Sequence, residues 1–158
     1  MEAWPAGADT MLVATGVAFP DGLAGGAAAQ RDDAPLVLTP NDRLLDATAN
    51  LLLDFDPSQV VLLGGEAAIA PEVAEAIEAA TGIVPDRVGG ADRYETAAGI
   101  AREVWPDGTS TAYLATGAVF ADALSGAAAA GCREAPVLLT RPDDLPTSSR
   151  ATLRSLLE

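Results

Sequence analysis

The chain has 158 residues, 23 of them acidic against nine basic, for a net charge of −14; every base is Arg, and Lys and His are absent. That length suits one domain or two small modules, and 49% hydrophobic content with positive mean hydropathy excludes a disordered chain despite the charge. Arg residues scattered from Arg31 to Arg154 weigh against a duplex nucleic-acid binder, and the acidic balance repels anionic membranes.

The opening MEAWPAGADT has neither the basic segment nor the apolar stretch of an export signal. The expectation is a cytoplasmic chain, or one whose sequence begins after its signal. The apolar run 11–15 predicts a buried strand, and the pattern over 20–30 a helix whose small residues AGGAAA (24–29) allow close approach to a sheet. A strand follows at 35–39, then a helix over 42–53 started by Asp42, and a strand at 59–63. The helix over 71–81 begins at Pro71 and ends at Thr81-Gly82. A weaker strand at 84–88 leads to a helix over 91–104, where DRYE (92–95) predicts a capping box. Strands at 112–115 and 136–139 alternate with helices at 121–131, carrying SGAAAA (125–130), and 146–157. This alternation predicts an α/β fold with a parallel sheet, flanking helices and right-handed crossovers. No run of 18 apolar residues exists to span a membrane.

The chain also repeats itself at an offset of 101 residues. TMLVATGVAFPDGLAGGAAAQRDDAPLVLT (10–39) aligns without a gap on TAYLATGAVFADALSGAAAAGCREAPVLLT (111–140), with 15 of 30 positions identical. Matches at Phe19/Phe120, Asp21/Asp122 and Pro35/Pro136 exceed what shared alanine richness produces. About one and a half periods of a module of roughly 100 residues are present: residues 60–80 find no partner after 140, and 89–103 none before 10. The expectation is a piece of a longer array. Its first module, 10–81, lacks an N-terminal Arg-Tyr helix; its second, 82–158, lacks the strand ending in Gly-Gly and the last helix. The apolar surface of 136–157 is then expected to lack cover and to promote association.

Catalytic apparatus is thin. Without His there is no Ser-His-Asp or Cys-His pair and no histidine metal site; without Lys there is no Schiff base and no phosphate-loop lysine. Asp32-Asp33 and Asp143-Asp144 read as solvated turn charges, and no loop has the ligand spacing of a calcium site. Cys132 stands alone, with no base to activate it. No cofactor and no metal are expected. Gly64-Gly65 falls between a strand and a helix, as a dinucleotide turn does, but GGEAAI is not G-x-G-x-x-G and no acidic residue ends a strand about 20 positions on. The second Gly pair opens GGADRYETAAGIA, which places Gly90, Asp92, Arg93, Tyr94 and Thr96 at a helix start. There backbone N–H groups and a guanidinium favour an anion, and a tyrosine can stack on a sugar. The competing reading pairs Arg93 structurally with Asp21 or Asp122.

Four motifs in order, ATG-x-x-FxDxL (14–23, 115–124), APLVLT and APVLLT (34–39, 135–140), VVLLGGEAAI (60–69) and GGADRYETA (89–97), resemble the cell-wall-binding repeat 2 family across essentially all of 10–157. The resemblance implies Rossmann-like modules, usually three in tandem packed as a pseudo-threefold prism, in exported surface proteins of Gram-positive bacteria. It implies a non-catalytic module, extracellular at the wall, that anchors its protein non-covalently to an anionic wall polymer. Its partners would be that polymer and adjacent modules of the chain, with no nucleic acid and no membrane insertion. The implied ligand-binding set is Gly90, Asp92, Arg93, Tyr94 and Thr96, with Thr15 and Asp21 of one repeat and Thr116 and Asp122 of the other. Two alternatives stay open: a small Rossmann-like nucleotide-binding protein or enzyme, and a structural, self-associating repeat. A chain of −14 repels a polyanion at long range, so local Arg sites, bridging divalent cations or a neutral glycan ligand must resolve the conflict.

Overall fold

The computed structural model describes residues 4, 7–17 and 19–158, the side chains of 19 and 120–123 excepted. Among the described residues six strands alternate with six helices: β1 Thr10–Thr15, α1 Phe19–Arg31, β2 Leu36–Thr39, α2 Asp46–Phe55, β3 Gln59–Leu63, α3 Pro71–Thr81, β4 Asp86–Val88, α4 Arg93–Val104, β5 Tyr113–Thr116, α5 Phe120–Gly131, β6 Val137–Thr140 and α6 Thr147–Leu157. The pairings among these strands are parallel, in a four-stranded sheet ordered β2-β1-β3-β4 and a two-stranded sheet β5-β6.

Period-two burial explains the layering. Along β1, Met11 and Val13 face α2 and α3 in a core with Leu52, Leu62, Val73 and Ile77. Leu12 and Ala14 face the opposite way, into a core shared by α1, α4, α5 and β6. This second core joins the two repeats. Alanines of α1 (Ala24, Ala27, Ala28) and α5 (Ala127, Ala130) let these helices approach each other closely. A Cβ at Gly25 would overlap Leu63 Cδ1, so the small-residue stripe serves both helix–sheet and helix–helix contact.

The two repeats form equivalent βαβ units. β1 pairs Leu12 with Leu36 and Thr15 with Thr39; β5 pairs Tyr113 with Val137 and Thr116 with Thr140. The equivalence reaches further than the ungapped match. Trp4 Nε1 donates to the Asp33 carbonyl at 2.8 Å, as Trp105 Nε1 does to that of Glu134 at 2.7 Å. Asp33 and Glu134 both have left-handed backbones, at φ 49° and 50°. Thr48 and Ser149 likewise donate to the carbonyls of Leu38 and Leu139.

Several expectations need correction. α2 starts at Asp46, not Asp42: Asp42 lies in an exposed ion pair with Arg43, and the Thr39 hydroxyl donates to the Arg43 carbonyl, holding that stretch as a loop. The weak strand begins at Asp86, since Val84 is 70% exposed. Most of the apolar surface of 136–157 is covered, because α4 packs on β6 and α6 and Val137, Leu138, Leu139 and Leu156 are buried, with Leu157 left exposed. The matching face of the first repeat is the one left open, where Leu38 is 53% exposed against 0% for its counterpart Leu139, while Leu114, Val119 and Leu124 are exposed elsewhere on the second repeat. Leu45, Leu51 and Leu53 are exposed with Leu38.

Candidate functional site

In an open α/β sheet, ligands bind beyond the carboxyl ends of strands, where neighbouring connections diverge to opposite sides. Here β1 connects through α1 to β2 on one side, while β3 and β4 lie on the other. The turns after β3 and β4, Gly64-Gly65 and Gly89-Gly90, meet at this end of the sheet. Gly64 takes φ 124°, open mainly to glycine. A Cβ on Gly89 would lie 2.5 Å from Gly64 C, and one on Gly65 would lie 2.8 Å from the Gly90 carbonyl oxygen. Side chains at these positions would push the turns apart. The Gly64 N–H donates to Val88 O at 2.9 Å, and Arg87 donates to Gly64 O at 2.9 Å.

α4 starts on this platform. Asp92 Oδ1 accepts from the N–H of Tyr94 and of Glu95, both at 2.9 Å. Glu95 reaches back to the N–H of Ala91 at 2.9 Å, one residue before the cap, and Thr96 Oγ1 accepts from Gly90 N–H at 3.2 Å. The predicted cap forms, but it occupies the donors expected to meet an anion. Among the described residues Arg93 forms no ion pair with a carboxylate, although its charge acts on Asp21; it donates to the Gly117 carbonyl at 2.6 Å, tying α4 to the turn after β5, and a pairing with Asp122 lies outside the described side chains. Glycine at 117 makes room, since a Cβ there would lie 2.9 Å from Tyr94 Cε1 and 3.2 Å from Arg93 Cδ.

Asp21, in the first turn of α1, leans on the platform. It is 7% exposed, and a Cβ on Gly64 would lie 2.8 Å from its Oδ2. Its Oδ1 is buried and has no hydrogen-bond partner among the described residues. Burial pushes its pKa up to about 6, against the opposing pull of the Arg93 charge. A hollow of about 130 Å³ lies between α1 and α4, lined by Asp21, Gly65, Gly90, Asp92, Arg93 and Thr96 among others.

The structure thus brings together Asp21, Gly90, Asp92, Arg93 and Thr96. Tyr94 turns aside, packing under the Arg141 guanidinium, 4.8 Å from the ring centroid. Thr15 and Thr116 are turn residues, accepting from the N–H groups of Val17 and Ala118. The Asp122 side chain lies outside the described residues. Two arginines are not legible in the sequence as site residues: Arg87, which holds the Gly64 turn, and Arg141, which also lies 3.9 Å from Asp92. Arg141 follows APVLLT, but the first copy has Pro40 there, so the repeat gives no signal. A larger cleft of about 610 Å³ opens at the other end of the strands, between Thr10, Gln59, Asp86, Arg31, Asp32 and Glu103; burial raises the Asp32 pKa, opposed by Arg31.

A tandem Rossmann-like unit with a glycine platform and a hollow that sets a buried Asp21 beside an exposed Arg93 defines a class of binding module, and comparison gives the family. Residues 2–74 and 87–156 match Cell wall binding domain 2 (CWB2), and the chain belongs to that family. It is 27% identical over 147 residues to the N-acetylmuramoyl-L-alanine amidase LytC of Bacillus subtilis, covering 93% of this chain and 29% of LytC. It is 30% identical over 118 residues to the amidase enhancer of the same organism, covering 75% of this chain and 16% of that protein. Among solved structures it resembles Cwp6 from Clostridium difficile (TM-score 0.88, 27% identity, 97% of this chain and 24% of that one). It also resembles Cwp8 (TM-score 0.82, 27% identity, 93% and 25%). The chain spans under a third of the length of each of these relatives. It is a cell-wall-binding module rather than a catalytic domain, which implies a wall polymer as partner and a surface or extracellular location. Among the described residues, no helix is long and apolar enough to cross a membrane.

Proposed function

We propose that this module holds a surface protein in the wall non-covalently, and that the polymer binds at the carboxyl ends of β1, β3 and β4. The observation that carries this reading is the hollow between α1 and α4, where Asp21, Gly90, Asp92, Arg93 and Thr96 converge at the strand-order switch. Tyr94, Thr15 and Thr116 support the surrounding turns, and Asp122 repeats the Asp21 position in a second module. Residues 10–81 and 82–158 act as two modules joined through α1, α4 and α5. Adjacent modules of the chain are the further partners: the exposed Leu38, Leu45 and Leu51 present on β2 and α2 the surface that α4 covers on β6 and α6. Neither nucleic acid nor membrane insertion has a part in this reading, since the net charge of −14 opposes both.

The test is co-sedimentation with purified walls of the producing organism. Saturable retention, weakened when Arg93 is replaced by Ala in protein that remains folded by circular dichroism, is the expected result. Equal retention of native and Arg93→Ala protein would move the site elsewhere.

A further inference from the structure

The cleft of about 610 Å³ at the amino ends of β1, β3 and β4 lies between α1 and α4, away from the hollow at the carboxyl ends, and its size is that of pockets that take a ligand. Its floor is apolar: Leu12, Leu63 and Ile100 are buried, and Val61, Val88 and Val104 half-buried. Four exposed carboxylates surround that floor, Asp32, Asp86, Glu103 and Asp107. Among the described residues none of the four is in an ion pair. The Gln59 side-chain amide donates to Asp86 Oδ2 at 2.9 Å and fixes that carboxylate at the rim. Both arginines of the cleft are engaged elsewhere: Arg31 lies over the Trp105 ring, 5.3 Å from its centroid, and Arg87 donates to the Gly64 carbonyl beyond the far end of β3. Crossover helices run against the strands they join, so α1 and α4 end here, and the negative ends of their dipoles add to the carboxylates.

An apolar floor under an acidic rim matches one kind of side chain, an aliphatic stem that ends in a cation, as in Lys and Arg. A metal ion alone would leave the floor uncovered, and the rim repels an anionic polymer. A second copy of this chain is a poor occupant, because it has no Lys and itself carries −14. We propose that this cleft docks a basic segment of a partner protein, whose Lys or Arg stems lie on Val61, Val88 and Val104 while their cations reach Asp86, Glu103 and Asp107. The module then holds two partners at opposite ends of its strands, a wall polymer at the carboxyl ends and a basic peptide at the amino ends.

Amide shifts of ¹⁵N-labelled protein, followed while acetyl-Lys-Leu-Lys amide is added, test this, with acetyl-Glu-Leu-Glu amide and spermidine as controls. The expected result is saturable shifts from the Lys peptide at Thr10, Gln59, Asp86 and Glu103, weakened by salt, and none there from the Glu peptide. Asp86→Asn and Glu103→Gln, both at exposed positions, are each expected to weaken the Lys peptide about two- to fivefold, the range of an exposed ion pair, while melting like native protein. Equal shifts from the Glu peptide would overturn the proposal, as would Lys-peptide shifts that never saturate and spread over the acidic surface. Unchanged affinity of the Lys peptide for both variants would do the same. Spermidine binding at the same amides with the same affinity would make the cleft a general cation site. Concentration-dependent shifts there without peptide would give it to a second copy, and either result also overturns the proposal.

Discussion

Replacing Asp21 by Asn tests the energetics of the site apart from any ligand. In the folded chain Asp21 keeps its proton up to about pH 6, against a reference value of 3.8. Between these values the native state binds more protons than the unfolded one, so stability falls as pH rises through the window and stays lowered above it. The difference of about two units corresponds to about 3 kcal/mol at 1.36 kcal/mol per unit. Asn removes the charge, but its amide N–H needs an acceptor, and failure to find one returns about 1 kcal/mol. Asp21→Asn is therefore expected to be more stable at neutral pH by about 1–3 kcal/mol, which for a chain of this size raises Tm by roughly 2–10 °C. Urea unfolding between about pH 4 and pH 8 gives the check, because the variant should lack a drop in stability that the native protein shows between about pH 4 and pH 6. Parallel pH profiles, or a variant less stable at neutral pH, would refute the reasoning and mean that Asp21 has a donor in solution.

Further outcomes follow from the same geometry. Arg93→Ala loses the Gly117 contact and should destabilise by about 1.5–3 kcal/mol in urea, so its retention must be compared under conditions where it is folded. Trp105 is 2% exposed, and Trp105→Ala should cost about 3–5 kcal/mol, whereas Trp4→Ala, at the more exposed counterpart, should cost less. Gly64→Ala places a Cβ 2.8 Å from Asp21 Oδ2 at φ 124° and should destabilise by at least about 1–3 kcal/mol. Gly26→Ala, in a helix with no atom within 4 Å of the new Cβ, should stabilise by about 0.5–1 kcal/mol. Thermal unfolding of this pair reads both signs.

The strands are legible in the sequence because each is a short apolar run closed by turn residues, and the 30-residue match at an offset of 101 alone makes their equivalence legible too. The repeat in fact begins at WPAG (4–7) and WPDG (105–108), but mismatches at 8 and 9 separate these motifs from the long ungapped block. The false start of α2 at Asp42 has a local cause: an Asp before an apolar pattern looks like a cap, and nothing in the sequence announces that Thr39 takes the Arg43 carbonyl instead. At the site, the capping role of Asp92 follows from local spacing and is visible in sequence. The partner of Arg93 is not, because its acceptor is a backbone carbonyl 24 residues away. The contact between the two glycine turns depends on β3 and β4 being sheet neighbours, which the sequence does not specify. The covering of β6 by α4 is tertiary in the same way, and that is why the sequence points to exposure along β6 that the fold removes.

The central claim is that a wall polymer binds at the carboxyl ends of β1, β3 and β4. Backbone amide shifts, followed while soluble fragments of the purified wall polymer are added to ¹⁵N-labelled protein, test it most directly. The expected result is saturable shifts concentrated at Gly64, Gly65, Gly90, Arg93 and Thr96. Shifts concentrated at Thr10, Gln59 and Asp86, around the larger cleft at the opposite end of the strands, would contradict it.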